Sequence, residues 1–369
     1  MSPAFSSLRQ AIGFVLLLLV MLLLPVFVPR SLLPPREQIY SSMPWNTGPY
    51  PFIHDQIFNE KSDIDIAIIG DSQIWAAIDT PYLQQQLSTK LGRPAVVISL
   101  CRPWAGFDGL YFLARDLLQH RKVHMLIFAD ASGLTTVQNT PHKLAWRWFR
   151  FAEDAGELAG LSLHDQLIYY YGSILGMPRN LVNLMRSNLA PVLTPEKERD
   201  LDQAHNWIMP SKLLGALTVQ ISYNDRPDLF GKFTPETTTQ PSDFDIYSPQ
   251  TKDKFQFLDT DFSSLQIYFA RKLAVLAQTH GTSLTCLNVP FYEDRKSPLI
   301  RERFNWPEAM QAPVRMVGIP PSTLFDGLPD RDIPKLFWDG YHFNENGQAY
   351  FTRLLAPDLI AIYDDTTKN

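Results

Sequence analysis

The sequence predicts an α/β protein whose parallel sheet is covered by helices on both faces. Two observations carry this. Short, nearly uncharged runs recur as strand candidates, and stretches with helical spacing and end signals separate them. A third bounds it: apolar residues make up 45% of 369, enough for a sizeable core and too many for a disordered chain.

The first element lies ahead of this pattern. Ala11–Val28 reads AIGFVLLLLVMLLLPVFV and contains no charge. A helix of about 18 residues nearly crosses a hydrocarbon core of about 30 Å. The run ends in Val28-Pro29-Arg30 with no small-residue cleavage site, so residues 1–30 are expected to be an uncleaved membrane anchor. Arg9 on one side and Arg30 and Arg36 on the other leave its orientation undecided. The Pro-rich residues 31–62 read as a linker and approach segment.

The alternating pattern then begins, over residues 63–365. Asp63–Ile69 is the first expected strand, Ala95–Leu100 the second, His124–Ala129 the third and Ser283–Val289 the fourth. Between the first two, Thr80-Pro81 starts a helix, with Thr80 as cap and Pro81 in the first turn, that Gly92 ends. Phe107–His120 fits another helix. Residues 134–259 form an insert too long for a simple crossover. Its first half looks helical and carries Trp146, Trp148, Phe149, Phe151 and Tyr169, Tyr170 and Tyr171; its second half, Thr234–Thr251, reads as a loop. The rings are either the insert's own core or a lid over a groove.

Composition excludes some roles. Lys+Arg 33 against Asp+Glu 38, with no basic cluster, gives phosphate backbones nothing to hold, so no nucleic-acid partner is expected. The two cysteines, Cys101 and Cys286, sit in no CxxC or Cys/His pattern, and both fall in or beside apolar strands where a free thiol packs as a small apolar group. His54, His120, His124, His142, His164, His205 and His280 are scattered without ligand spacing. Neither metal nor cofactor is expected.

Two motifs carry chemistry. The first strand runs into Gly70-Asp71-Ser72-Gln73 and then a helix-like stretch, which holds a serine hydroxyl at the carboxyl edge of the sheet. Near the end stands Trp338-Asp339-Gly340-Tyr341-His342-Phe343-Asn344. Asp and His three apart on a tight turn can pair, leaving Nε2 free to take a serine proton. Each motif alone also reads as an ordinary capped turn. Trp75 and Trp338 flank the motifs, with packing as their default role, and Arg102 follows the second strand, where it either touches an anionic substrate or is a solvated loop residue.

Together the two motifs resemble the SGNH/GDSL hydrolase superfamily, over about residues 63–136 and 255–365. The resemblance implies a flavodoxin-like three-layer α/β/α fold with Ser72 as nucleophile, His342 as base and Asp339 as its orienting acid. Two positions depart from the family pattern. Gln73 stands where Leu is usual. Phe128-Ala129-Asp130-Ala131-Ser132-Gly133 lacks the usual third-block Asn, which leaves the backbone N–H groups of Ser72 and Gly106 as expected oxyanion donors and puts a carboxylate, Asp130, nearby. The anchor, the insert and the missing Asn are similar in arrangement to the membrane-tethered branch that includes alginate O-acetylation and teichoic acid D-alanylation proteins. That likeness implies a single-pass inner-membrane protein with its domain on the periplasmic or extracellular side. It implies acyl transfer or ester hydrolysis of O-acetyl groups on an acylated carbohydrate, beside a membrane-bound O-acyltransferase partner. A catalytically weak module that binds glycan or tethers such a partner is the alternative.

Overall fold

A computed structural model describes residues 6–27, 35–41, 50–102, 106–129, 141, 145–174, 254–258 and 263–368. The elements are α1 (Leu8–Phe27), α2 (Gln38–Ser41), α3 (Tyr50–His54, running into a π-helical turn at Asp55–Asn59), β1 (Ile64–Ile69), α4 (Ser72–Ala77), α5 (Thr80–Leu91), β2 (Val97–Ser99), α6 (Phe107–His120) and β3 (Val123–Phe128). They continue with α7 (Ala145–Trp148), α8 (Phe151–Asp154), β4 (Phe255–Phe257), α9 (Ser264–Thr279), β5 (Ser283–Leu287), β6 (Ile300–Glu302), α10 (Trp306–Met310), β7 (Val314–Val317), α11 (Pro321–Leu324) and α12 (Glu345–Lys368).

The four expected strands form within one or two residues of their predicted limits. Joined by β7, they make a parallel five-stranded sheet of order β2-β1-β3-β5-β7. In that order the crossovers reverse direction between β1 and β3, and α/β sites form outside the carboxyl ends of strands at such a reversal. A separate parallel pair, β4 with β6, was not foreseen; three-residue strands carry too little periodicity to be read.

Strand β1 is buried along its whole length although it contains Asp65. Burial alone would raise this carboxyl. Hydrogen bonds from Arg93, at 2.6 and 3.1 Å, from Tyr363 and from the Val96 N–H outweigh it and hold the carboxyl below its usual range.

Two apolar clusters lie on the two faces of the sheet. One gathers α6, α9 and α10 around Phe112, Phe128, Phe269 and Trp306; the other gathers α4, α5 and α12 around Ile68, Leu83, Phe351 and Leu355. Helix α5 starts one residue earlier in role than expected: Asp79, not Thr80, is the cap, its side chain accepting from the Tyr82 N–H at 3.1 Å. Gly92 ends the helix at φ 65°, the left-handed conformation that only glycine adopts freely.

The expected approach segment packs into the domain. Tyr40, Phe52, Ile53 and Ile57 belong to the first cluster. Arg36 pairs with Asp116 at 2.5 Å and with Asp154 at 3.1 Å, while Arg115 meets Asp154 at 2.7 Å and the Tyr40 hydroxyl donates to Asp116 at 2.7 Å. Of the insert's rings, Trp148, Phe149 and Tyr169 are core, whereas Tyr171 is exposed. The loop expected at Thr234–Thr251 lies outside the described residues.

The anchor departs from expectation. Helix α1 has 20 residues, yet among the described residues no helix is long and apolar enough to cross a membrane. Arg9 and Gln10 occupy its first turn.

Asp358 on α12 supplies a test of the packing. Among the described residues its Oδ2 has no hydrogen-bond partner. Burial pushes its carboxyl up to about 7, and Lys254 opposes this only in part. A folded-state value above the unfolded one, about 3.9, means that the fold favours the protonated form. The contribution is therefore fully present below about pH 4 and is lost as pH rises to about 7. Asp358→Asn is expected to raise the thermal midpoint at pH 8 by several degrees and to leave it nearly unchanged at pH 4. Equal shifts at both pH values would contradict the assignment.

Candidate active site

Ser72 is the first residue of α4, directly after the exit of β1. Asp71 caps this helix by accepting from the Gln73 N–H at 3.0 Å. The turn requires glycine at position 70, because a Cβ there would lie 2.1 Å from Ile74 Cγ2. The tight turn places the Ser72 hydroxyl at the carboxyl edge, where the residue is 6% exposed.

His342 arrives from the other end of the chain. The Trp338 N–H donates to the His342 carbonyl at 2.8 Å, and Phe337 bridges Phe343, which closes a tight loop. Asn344 locks it: its amide donates to the Lys335 carbonyl at 2.7 Å while its oxygen accepts from the N–H groups of Asn346 and Gly347. Asp339 faces inward and accepts three N–H groups, those of Tyr341 at 2.7 Å and His342 at 2.9 Å from the backbone and His342 Nδ1 at 2.9 Å.

The loop and Ser72 meet. Ser72 Oγ lies 3.0 Å from His342 Nε2. With Nδ1–H donated to Asp339, Nε2 is the acceptor for the serine proton. The expected arrangement of Ser72, His342 and Asp339 is present as a continuous hydrogen-bonded chain.

Helix α12 clips the two parts together. Gln348 Nε2 donates to the carbonyls of Trp75 and Ile78, both at 3.2 Å, and the Thr352 hydroxyl donates to the Ala77 carbonyl at 3.1 Å. Thr352 also accepts from the Asp79 N–H at 2.8 Å. These bonds satisfy carbonyls that the end of α4 leaves without helical partners. Gln348 and Thr352 were not singled out in the sequence, although their spacing of four after the His342 loop puts them on one helix face.

The other expected site residues fare differently. Gly106 caps α6 at the same sheet edge, where a backbone donor is expected. Asp130 lies outside the described residues. Arg102 is fully buried, so it is not a solvated loop residue. Its guanidinium lies 3.8 Å from the Trp148 ring centre, in the layer opposite α4 and α12, and among the described residues its three nitrogens have no hydrogen-bond partner. That layer also turns it away from the role of touching a substrate at Ser72. Cys101 and Cys286 are buried and, among the described residues, form no disulfide, and burial pushes the Cys101 thiol far up, which removes it as a nucleophile. Trp75 packs in the second cluster and Trp338 against it. Among the described residues no His/Cys/Asp/Glu group could hold a metal ion.

A cavity of about 210 Å³ adjoins Gln73. Gln73, Ala129, Val289 and Phe291 line it together with Asn288, Asp294, Arg301, Glu302 and Arg303. Sequence reading missed this wall, because β4 and β6 assemble it from short strands far apart in the chain.

Two glycines test the loop that carries His342. A Cβ at Gly347 would lie 2.0 Å from the Leu336 carbonyl oxygen, whereas one at Gly340 would meet nothing within 4 Å. Gly347→Ala is expected to destabilise the protein by about 1–3 kcal/mol in urea unfolding, and Gly340→Ala to leave its stability unchanged. Comparison of the chain with family models, with curated proteins and with solved structures finds no match.

Proposed function

We propose that this chain is an SGNH/GDSL-type serine enzyme that transfers or hydrolyses small acyl esters. The observation that carries the proposal is the unbroken chain from Ser72 through His342 to Asp339, at 3.0 and 2.9 Å, on the carboxyl edge of a parallel sheet.

In the proposed reaction Ser72 Oγ attacks the ester carbonyl carbon while its proton passes to His342 Nε2. A tetrahedral oxyanion forms. Asp339 holds the imidazole in the tautomer that accepts at Nε2 and stabilises the imidazolium that results. Collapse breaks the bond to the leaving oxygen, which takes the proton from His342. The acyl group now rests on Ser72. A second hydroxyl, from carbohydrate or water, reverses the sequence with His342 as base and then acid.

The substrate is proposed to be an O-acetylated carbohydrate of the cell envelope, and the setting the outer face of the inner membrane. The outward apolar surface of α1, with Leu17 and Val20 about 60% exposed, supports seating in a bilayer. A membrane-bound O-acyltransferase as partner follows from the same resemblance. The second reading, a non-catalytic module, draws on Ala129, which offers no side-chain donor where β3 ends. The buried Asp339 favours catalysis. Among the described residues no Lys or Arg pairs with it; such a buried carboxylate is a costly group to keep in a core, and here its hydrogen bonds serve the loop that aims His342.

The test uses the full chain in detergent with an acetyl-ester reporter and a fluorophosphonate probe. Turnover and labelling are both expected, and Ser72→Ala should abolish both without lowering the thermal midpoint. Asp339→Asn should reduce kcat by about 10⁴-fold, since the amide favours the wrong imidazole tautomer. Equal labelling of the wild type and Ser72→Ala would refute the assignment.

A further inference from the structure

The turn after β1 leaves one side chain beside the nucleophile without a task. Gln73 follows Ser72 directly and is 8% exposed. Its backbone N–H is spent on the Asp71 carboxylate. Its side-chain Nε2 donates to the Val289 carbonyl at 3.2 Å, just past the end of β5. Strand β3 lies between β1 and β5, so the carboxamide reaches across the exit of β3. There the chain has Ala129, whose methyl group donates nothing.

A carboxamide nitrogen carries two N–H groups in a fixed plane. The Val289 bond uses one and sets that plane. Among the described residues the other has no acceptor, and Gln73, the residue after Ser72, lines the cavity with Ala129 and Val289. The other amide of that wall is committed: Asn288 Nδ2 donates to the Arg301 carbonyl at 2.9 Å and to Glu302 at 3.0 Å. Gln73 is thus the side-chain donor next to the nucleophile that is both held in place and still able to donate.

We infer that the Gln73 carboxamide is an oxyanion donor for the reaction at Ser72. This rests on the serine chemistry proposed above. As the Ser72 Oγ–carbon bond forms, the carbonyl π pair moves onto oxygen, and Nε2–H of Gln73 donates to that oxygen beside the Ser72 backbone N–H. When the tetrahedral centre collapses, the pair returns to the carbonyl and the leaving oxygen takes its proton from His342. Gln73 gains and loses nothing. A neutral donor suits the place, because it stabilises the developing charge without competing with the imidazolium for Asp339.

The experiment compares the wild type with Gln73→Met, matched in length, and Gln73→Glu, matched in shape. It measures kcat and KM on an acetyl ester, the fluorophosphonate labelling rate and the thermal midpoint. Gln73→Met is expected to lose about 10²–10³-fold in kcat, the usual effect of one oxyanion donor, with KM changed by less than about threefold. Labelling should slow in parallel, since the phosphonate adduct places an oxygen where the oxyanion forms. Gln73→Glu should fall further at pH 8, where a carboxylate would repel the oxyanion; a residue needed only for packing would not produce that order. A Gln73→Met protein with wild-type midpoint and kcat within about threefold of wild type would overturn the inference. If Gln73→Met does not fold, a folded Gln73→Glu with unchanged kcat would overturn it equally. Absence of any Ser72-dependent turnover in the wild type would instead strike the proposed function itself, and this inference with it.

Discussion

A serine at the exit of β1 meets a histidine 270 positions later, and everything the site can do depends on that meeting. The hydrogen bond between them cannot enforce it. One such bond contributes about 1 kcal/mol net, whereas closing a loop of that length costs on the order of 5 kcal/mol. The apolar face of α12 supplies the difference. Phe351, Leu355, Leu359 and Ile362 are fully buried against the sheet, each contributing about 1.5–3 kcal/mol. Gln348 and Thr352 then set register. Their bonds to the end of α4 mean that α12 cannot slide without stranding buried carbonyls. Packing brings the ends together, and hydrogen bonding fixes the last ångström.

Two carboxylates in the same C-terminal stretch show what the fold does with buried charge. Asp339 is enclosed yet surrounded by N–H groups from its own loop. Asp358 is enclosed with one oxygen unpartnered, and its carboxyl is pushed up to about 7. The difference lies in local backbone geometry. A tight turn presents successive N–H groups to a side chain at its start, whereas a helix interior has already spent its own on the preceding turn. A carboxylate meant to orient an imidazole belongs in the first setting.

The legible parts of this protein were those with strong local signals. Strands β1, β2, β3 and β5 are short, mostly apolar runs, α5 and α6 carry start and stop residues, and the motifs around Ser72 and His342 flag themselves by residue type. What stayed hidden depends on distant partners. Strands β4 and β6 are three residues each and mean something only as a pair. Arg36 reads as a charge in a Pro-rich stretch, yet it enters a buried cluster because Asp116 and Asp154 come to it from α6 and α8. Arg102 stands at the active edge in sequence, but its side chain turns into the opposite layer to stack on Trp148. Spacing along a strand locates a residue's backbone; on an irregular turn it does not say which face the side chain takes.

The cavity that Gln73 lines bears on which acyl groups the proposed chemistry suits. A long acyl chain gains about 0.8 kcal/mol per methylene only when it leaves water for apolar surroundings. The cavity offers Leu258, Leu287, Val289 and Phe291, but it mixes them with Asn288, Asp294, Arg301, Glu302 and Arg303 in about 210 Å³. Burying a chain there would strip water from ionised groups without replacing their hydrogen bonds, and that cost exceeds the gain from a few methylenes. Two basic and two acidic side chains also leave the wall without a dominant sign of charge, which gives no preference to a strongly anionic group. A short acyl group on Ser72, with a hydroxyl-bearing partner hydrogen-bonded along the polar wall, satisfies both constraints.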